Sequence, residues 1–380
     1  RPSHAPTSDG TAISVVCLDP TSNTYSPDGD LHQASQCLYT SNDFIAAFES
    51  MSSSEWALFL LQLFSACWFT VILAGAFSFI ICVARTRHQR GRAQPEHWPH
   101  IAVLIPCYMP NEQRIILETL AKVCGTTEYA GTMDVKVVYN TPTPLDIEER
   151  LNELTSLHGR SVRCACAADS TSKAQNLMYA LAHMVPKEAE IIVIFDADHH
   201  PRADTVATLV GTLIHPDSSE LSATQGSVLI ERGGPWPLRR IADGMEWSQW
   251  YFWAPGFSVL AGSAYFGGGN AAWRKEALTS LGFDHTMLTE DIDLTIRALL
   301  RGHTIDFVPW AQVGEMCPAN YRGFYKQRLR WAMGWEQVTY RRFGTLFNST
   351  AITEWRKWRT ALLLTLRYWS IIIALCVLGW

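Results

Sequence analysis

Ile191-Ile192-Val193-Ile194-Phe195-Asp196-Ala197-Asp198 carries five apolar residues that stop at two carboxylates one residue apart. An apolar run this short reads as a strand buried on both faces. The carboxyl ends of such strands are where open α/β sheets bind ligands, and an Asp-x-Asp there can hold a divalent cation against a diphosphate. A solvated turn with two Asp residues has the same spelling, so neighbouring groups have to decide. Three follow in order: Phe266-Gly267-Gly268-Gly269-Asn270, then Thr289-Glu290-Asp291, then Gln327-Arg328-Leu329-Arg330-Trp331.

Working outward, Ile101 to Ile105 (closed by Pro106) and Val135 to Tyr139 are further apolar strands. Ile115 to Lys122 and Ala174 to His183 are helical stretches between strands. This alternation predicts one α/β catalytic domain over residues 100–345 with parallel strands. Thr289 to Asp291 should open a helix running through Ile292 to Leu300, because Thr and Asp are good caps. Cys164-Ala165-Cys166 suits alternate faces of a strand better than a shared metal.

The amino-terminal third differs. Trp56 to Ala84 is almost wholly apolar and longer than the ~20 residues needed to cross a bilayer, which predicts a transmembrane helix. Arg85, Arg87, Arg90 and Arg92 follow it and place residues 85–99, a linker, on the cytoplasmic side. Residues 1–55, rich in Ser, Thr, Pro and Asp, are then extracellular or lumenal. Cys17 and Cys37 could pair there. Aromatic and charged residues mix near 235–257, 321–343 and 355–368, a composition suited to helices in the headgroup layer. The same aromatics could instead fill a core. Residues 346–380 read as an interface helix leading into a second, incomplete span. An opening Arg1 and a close inside an apolar run suggest that both ends are cut. Asn348-Ser349-Thr350 is a glycosylation sequon that this topology leaves in the cytoplasm, unmodified.

Composition narrows the function. At 380 residues and 48% apolar content the chain can bury a large core. Its net charge of −5 excludes a general nucleic-acid binder, which needs a strongly basic face. Ten cysteines without CxxC pairs give neither a disulfide scaffold nor a zinc site.

The four groups, in this order, resemble the processive family 2 glycosyltransferases, which include cellulose synthases, hyaluronan synthases and related membrane polysaccharide synthases. Asp196-Ala197-Asp198-His199-His200-Pro201 is closest to the DxDH-x-P of cellulose synthases. Thr289-Glu290-Asp291 matches their TED, and Gln327 to Trp331 carries QxxRW. The resemblance implies a GT-A-like, Rossmann-type domain flanked by transmembrane and amphipathic interface helices. It also implies an integral membrane enzyme, its catalytic domain in the cytoplasm, that takes a UDP-sugar, most simply UDP-glucose, and extends and secretes a β-linked polysaccharide.

Each residue has a physical reason beside the resemblance. Asp198, helped by Asp196, would hold Mg²⁺ or Mn²⁺ against the donor phosphates. Asp291 would take the proton of the attacking acceptor hydroxyl. Arg328 and Arg330 offer charged forks to phosphate oxygens beside Gln327, and Trp331 offers a face on which a sugar can stack. Glu290, Thr289 and the loop Phe266, Gly267, Gly268 and Gly269 would meet the acceptor, with Gln225-Gly226 lining the same groove. Pro106 to Glu112 resembles the family's P-x-Y-N-E loop with Met109-Pro110 inserted, so Tyr108 would stack on uracil with Glu112 at its edge. Asn140 stands where the family has an acidic pair, and Lys173 would offset phosphate charge. His199 and His200 are neighbours of the metal rather than ligands, since imidazole suits softer cations. Alternative readings are UDP-N-acetylglucosamine as donor, a non-processive lipid-linked hexosyltransferase, and a catalytically silent synthase subunit.

Overall fold

The computed structural model describes residues 95–378 without interruption, together with 52–54, 56–58, 60, 61, 77 and 80. The chain forms two compact units, residues 1–68 with 376–380, and residues 69–375. In the first, residues 53, 54, 56–58, 60 and 61 are helical. Among the described residues no helix is long and apolar enough to cross a membrane. The expected span Trp56 to Ala84 lies largely outside them, although 56–58, 60, 61, 77 and 80 are helical. Residues 1–51, with Cys17 and Cys37, and most of the 85–99 linker also lie outside.

The second unit is built on a nine-stranded sheet. Its strands are β1 (Ile101–Tyr108), β2 (Met133–Asn140), β3 (Ser156–Leu157), β4 (Arg160–Cys166), β5 (Ile191–Ile194), β6 (His200–Pro201), β7 (Leu221–Arg232), β8 (Ala271–Arg274) and β9 (Thr304–Met316). Their order is β3-β4-β2-β1-β5-β8-β7-β9-β6. β4, β2, β1 and β5 run parallel, β8 is antiparallel to both β5 and β7, and β9 returns parallel to β7. β1 and β5 are central and buried on both faces, and for that reason their sequences are continuous apolar runs rather than alternating ones.

Helices α1 (Ile116–Thr126), α2 (Ile147–Glu153), α3 (Lys173–His183) and α4 (Thr205–Ile214) accompany the first half of the sheet. Ser172 caps α3 by accepting the amide of Gln175 at 3.2 Å. Beyond β7 come α5 (Trp236–Ser248), a π-helical turn Gln249–Trp253, α6 (Ala254–Ala261), α7 (Lys275–Leu281), α8 (Glu290–Leu300), α9 (Tyr321–Asn348) and α10 (Glu354–Leu378). All three aromatic segments are thus helical, and each carries exposed aromatics: Trp236, Trp247 and Trp253, then Tyr321 and Tyr325, then Trp355 and Trp358. Trp250 and Phe257, in the first of them, instead enter the core.

Register builds the site. Tyr108 pairs with Asn140 at the carboxyl ends of β1 and β2, and β5 ends beside them. Antiparallel pairing of Ile194 with Ala271 brings the glycine loop before β8 to the end of β5, next to Asp196. Gln225, fully buried on β7, holds that loop by donating to the Gly269 carbonyl and accepting the Gly267 amide, both at 2.9 Å. It supports the loop from behind rather than lining a groove.

Helices α8 and α9 meet at two points. A Cβ on Gly334 would lie 2.3 Å from Thr289 Cγ2, so only glycine allows α9 this close to the start of α8. Asp293, with no exposed surface, accepts Arg297 Nε at 2.6 Å and Arg342 Nε of α9 at 2.7 Å. Replacing Asp293 with Ala strands two guanidiniums and should cost about 3–5 kcal/mol. Equilibrium unfolding of the solubilised protein will show a clear loss of stability, and an unchanged midpoint would contradict this coupling.

Candidate active site

A cavity of about 600 Å³ opens where the glycine loop, the end of β5 and helices α5, α8 and α9 converge. Lys173, Asp196, Gly267, Thr289, Glu290, Asp291, Gln327, Arg330 and Trp331 all line it. Residues separated by more than 150 positions in sequence therefore share one space.

Spacing on α9 explains part of this. Gln327, Arg330 and Trp331 stand at i, i+3 and i+4, one face of a helix, and that face looks into the cavity. Arg328 stands off that face. Its Nη2 donates to Glu246 Oε1 at 2.8 Å, and its guanidinium carbon lies 4.3 Å from the ring centre of Trp331 and 4.9 Å from that of Phe324. The two arginines of the motif thus have different partners. Arg330 donates to the Leu288 carbonyl at 3.1 Å, and its charge reaches Asp196 and Asp291.

The charges are unevenly matched. Lys173 pairs with Asp196 and lies 3.8 Å from Glu290. Burial works against the lysine charge, but Asp196 and Glu290 outweigh it and hold the ammonium above its usual range. Burial likewise disfavours the Asp196 carboxylate, and Lys173 more than compensates, so its pKa is lowered. Asp198 has no lysine partner: it accepts the Met316 amide at 3.2 Å, and burial, with Asp196 adding to it, raises it against the opposing pull of His199. Glu315, half-buried on the cavity wall near Asp198 and Glu246, is raised well above an ordinary carboxyl, first by burial. Burial keeps His199 neutral, with its Nδ1 unpartnered.

Asp291 sits in the first turn of α8. Burial first, then Glu290, push it up to about 7, with Lys173 and the Ile292 amide opposing them. Gly268 has φ +88°, and a Cβ there would lie 3.0 Å from Asp291 Oδ2 and 3.2 Å from Lys173 Nζ. A bare backbone is therefore what lets the loop approach both groups. Thr289 occupies the cap position of α8, but its hydroxyl makes no cap bond and is buried without a partner.

The other expected residues lie around this centre. Phe266 is core, edge-on to Trp273 at 5.6 Å. Tyr108 is exposed at the end of β1, and its amide donates to Glu112 Oε2 at 2.5 Å. Burial raises Glu112 to about 7, and the charges of Asp198 and Asp196 add to it, so this end adjoins the acidic pair. Asn140 is buried and accepts Asn176 Nδ2 at 2.8 Å. Asn176 and Glu246 are functional neighbours that sequence reasoning missed. A sole signal for Glu246 was an acidic residue inside an aromatic stretch.

Among the described residues, no three His, Cys, Asp or Glu side chains are grouped to hold a metal alone. Two carboxylates at a strand end, one of them short of counter-charge, still fit a hard cation that completes its shell with phosphate oxygens. Chemically, the cavity offers a carboxylate able to accept a proton near neutral pH, cations for a leaving diphosphate and an indole wall.

Comparison with known proteins bears on the family and the fold. The model for glycosyl transferase family group 2 matches residues 191–380. Glucomannan 4-beta-mannosyltransferase 7 of Arabidopsis thaliana is 26% identical over 69% of this chain and 47% of its own length. Glucomannan 4-beta-mannosyltransferase 1 of Oryza sativa subsp. japonica is 24% identical over 68% of this chain and 50% of its own. The chain thus spans about half the length of the curated relatives it matches. In structure it resembles the mannosyltransferase PcManGT from Pyrobaculum calidifontis, solved with GDP-Man and Mn²⁺, with a TM-score of 0.56 at 21% identity, covering 82% of this chain and 84% of that one. That likeness establishes the GT-A-like fold, and the family match over half of the sequence establishes that the chain belongs to glycosyl transferase family group 2.

Proposed function

We propose that this chain is the catalytic part of an inverting, membrane-embedded glycosyltransferase that moves hexosyl units from a nucleotide diphosphate sugar onto a growing β-linked polysaccharide. One observation carries the proposal: Asp291, pushed up to about 7, shares a single cavity with Asp196, Arg330 and Trp331. The acceptor hydroxyl attacks the anomeric carbon, Asp291 takes its proton, and the bonding electrons of the old glycosidic link leave with the diphosphate. Arg330 and Lys173 offset the charge that develops on the leaving group. Asp198 and Asp196 would hold a divalent cation, Mg²⁺ or Mn²⁺, which would supply Lewis acidity for the departure of the diphosphate. Trp331 gives the acceptor sugar a flat apolar wall.

The donor follows from the nucleotide end. Likeness to the cellulose synthase motifs favours UDP-glucose. Asn140, a neutral residue where the uridine-binding pattern has acids, and relatives named as mannosyltransferases favour a second reading, GDP-mannose and a β-mannosyl product. Processive extension and secretion through transmembrane helices, from a plasma-membrane enzyme with a cytoplasmic active site, complete the proposal. It is supported by the exposed Trp236, Trp253, Trp355 and Trp358, which suit a headgroup layer. Incubating the solubilised protein with UDP-glucose, UDP-N-acetylglucosamine and GDP-mannose, with Mg²⁺ or Mn²⁺, and digesting products with linkage-specific glycanases tests the whole reading. Absence of transfer from all three sugars would reject it.

Two outcomes follow from Asp291. Asp291→Asn should lower kcat by ~10²–10⁴-fold with nucleotide binding retained. Because the folded pKa lies above the unfolded ~3.9, folding retains a proton that the unfolded chain gives up, and stability falls as pH rises between those values. Asn removes that penalty, so the variant should melt at a higher temperature than the parent at pH 8. Equal or lower melting would contradict the burial of this carboxyl.

In the free enzyme, kcat/KM should drop about tenfold per pH unit on the acid side of pH 7, as the proton acceptor becomes occupied. A profile flat from pH 5 to 8 would remove Asp291 from this role.

A further inference from the structure

Glu246 has no role in the reaction described above, yet it is buried at the wall of the cavity, with 2% of its surface exposed. Both of its oxygens are engaged. Oε1 accepts Arg328 Nη2 at 2.8 Å, and Oε2 accepts the indole Nε1–H of Trp250 at 3.2 Å. Each bond leads to a different wall of the site.

Arg328 lies between two rings. Phe324 is four residues before it and Trp331 three after, so all three share a helix face, and the guanidinium stands over both rings at 4.9 and 4.3 Å. One face of Trp331 is therefore taken by the cation, which leaves the other as the only broad surface for a sugar. Glu246 fixes where that cation sits. Trp250 is stacked between Tyr265 at 5.6 Å and Phe307 at 6.2 Å, and its ring lies against the glycine loop, where a Cβ on Gly267 would come within 2.5 Å of it.

We propose that Glu246 is a positioning residue for the acceptor: through Arg328 it sets the angle of the Trp331 ring, and through Trp250 it sets the height of the glycine loop. The proposal rests on the glycosyltransferase reading and adds to it the device that aligns the acceptor hydroxyl with the donor. No bond in the reaction is made to Glu246. Its effect should fall mainly on the acceptor, because Trp331 and Gly267 are what its two partners touch, whereas the donor-side groups Lys173, Asp196 and Arg330 are also held by other contacts.

The test uses the whole solubilised chain and short β-linked gluco- and manno-oligosaccharides as acceptor probes, with whichever donor the parent protein uses. Glu246→Gln keeps the shape and loses the charge. It should lower kcat/KM for the acceptor by about 10²-fold, as a displacement near 1 Å does. KM for the donor should change less than about twofold, since only the acceptor wall has lost binding. Arg328→Lys separates positioning from simple ion pairing. Lysine can still pair with Glu246 but offers no planar face to Trp331, so the acceptor defect should persist. Should Glu246→Gln fail to fold, Phe324→Leu loosens the same stack from its outer side and should give a smaller defect of the same kind. Equal changes in donor and acceptor KM, or full activity in Arg328→Lys, would overturn the proposal. Absence of transfer by the parent protein with every donor would instead overturn the functional reading on which it stands.

Discussion

Asp293 is the point on which the site's geometry turns. A carboxylate with no contact with water is tolerable only if its charge is met at close range, and here two guanidiniums meet it, one from its own helix and one from α9. That requirement fixes α9 against the first turn of α8, where the bare backbone of Gly334 also lets the two helices close. Successive helical residues are turned by about 100°, so Asp291 and Asp293 point to nearly opposite sides of α8. One short acidic stretch thus supplies both a carboxylate that lines the cavity and the clamp that holds α9 beside it.

The cavity itself holds more negative charge than its own cations can balance. Lys173 serves Asp196 and reaches Glu290, but burial still raises Asp291 and Glu315 on the cavity wall and Asp198 behind it. Such a site costs stability when empty and gains when positive charge arrives. A diphosphate alone would worsen the imbalance, whereas one accompanied by a divalent cation relieves it at the Asp196 and Asp198 end. Asp291, farther along the cavity, keeps its raised affinity for a proton, which is the property a base for a sugar hydroxyl needs near neutral pH.

Parts of this were legible in the sequence for identifiable reasons. β1 and β5 announced themselves because strands covered on both faces are continuous apolar runs, β2 through its run Val135 to Tyr139 broken only by Lys136, α3 through its Ser172 cap, and α8 through its apolar spacing. β7 and β9 did not. β7 buries Thr224, Gln225 and Ser227 by pairing them with distant carbonyls, so its sequence lacks the apolar signature. The aromatic stretch at 235–257 could be read as membrane surface or as core, and it is divided: Trp236, Trp247 and Trp253 are exposed while Trp250 and Phe257 are enclosed. Composition cannot make that division, because it depends on which face of a helix meets the sheet.

The QxxRW spacing shows how far a motif can be read and where reading stops. Helical periodicity puts Gln327, Arg330 and Trp331 along one side of the helix and Arg328 beside Trp331 at its border. It says nothing of what Arg328 does, because its partner Glu246 lies 82 residues earlier. Two arginines two residues apart look interchangeable as phosphate ligands. In the fold one faces the cavity with its charge toward Asp196 and Asp291, and the other is withdrawn under the indole, pinned by a buried carboxylate. A residue can therefore belong to a motif and face away from the cavity, by packing on the side chain that lines it.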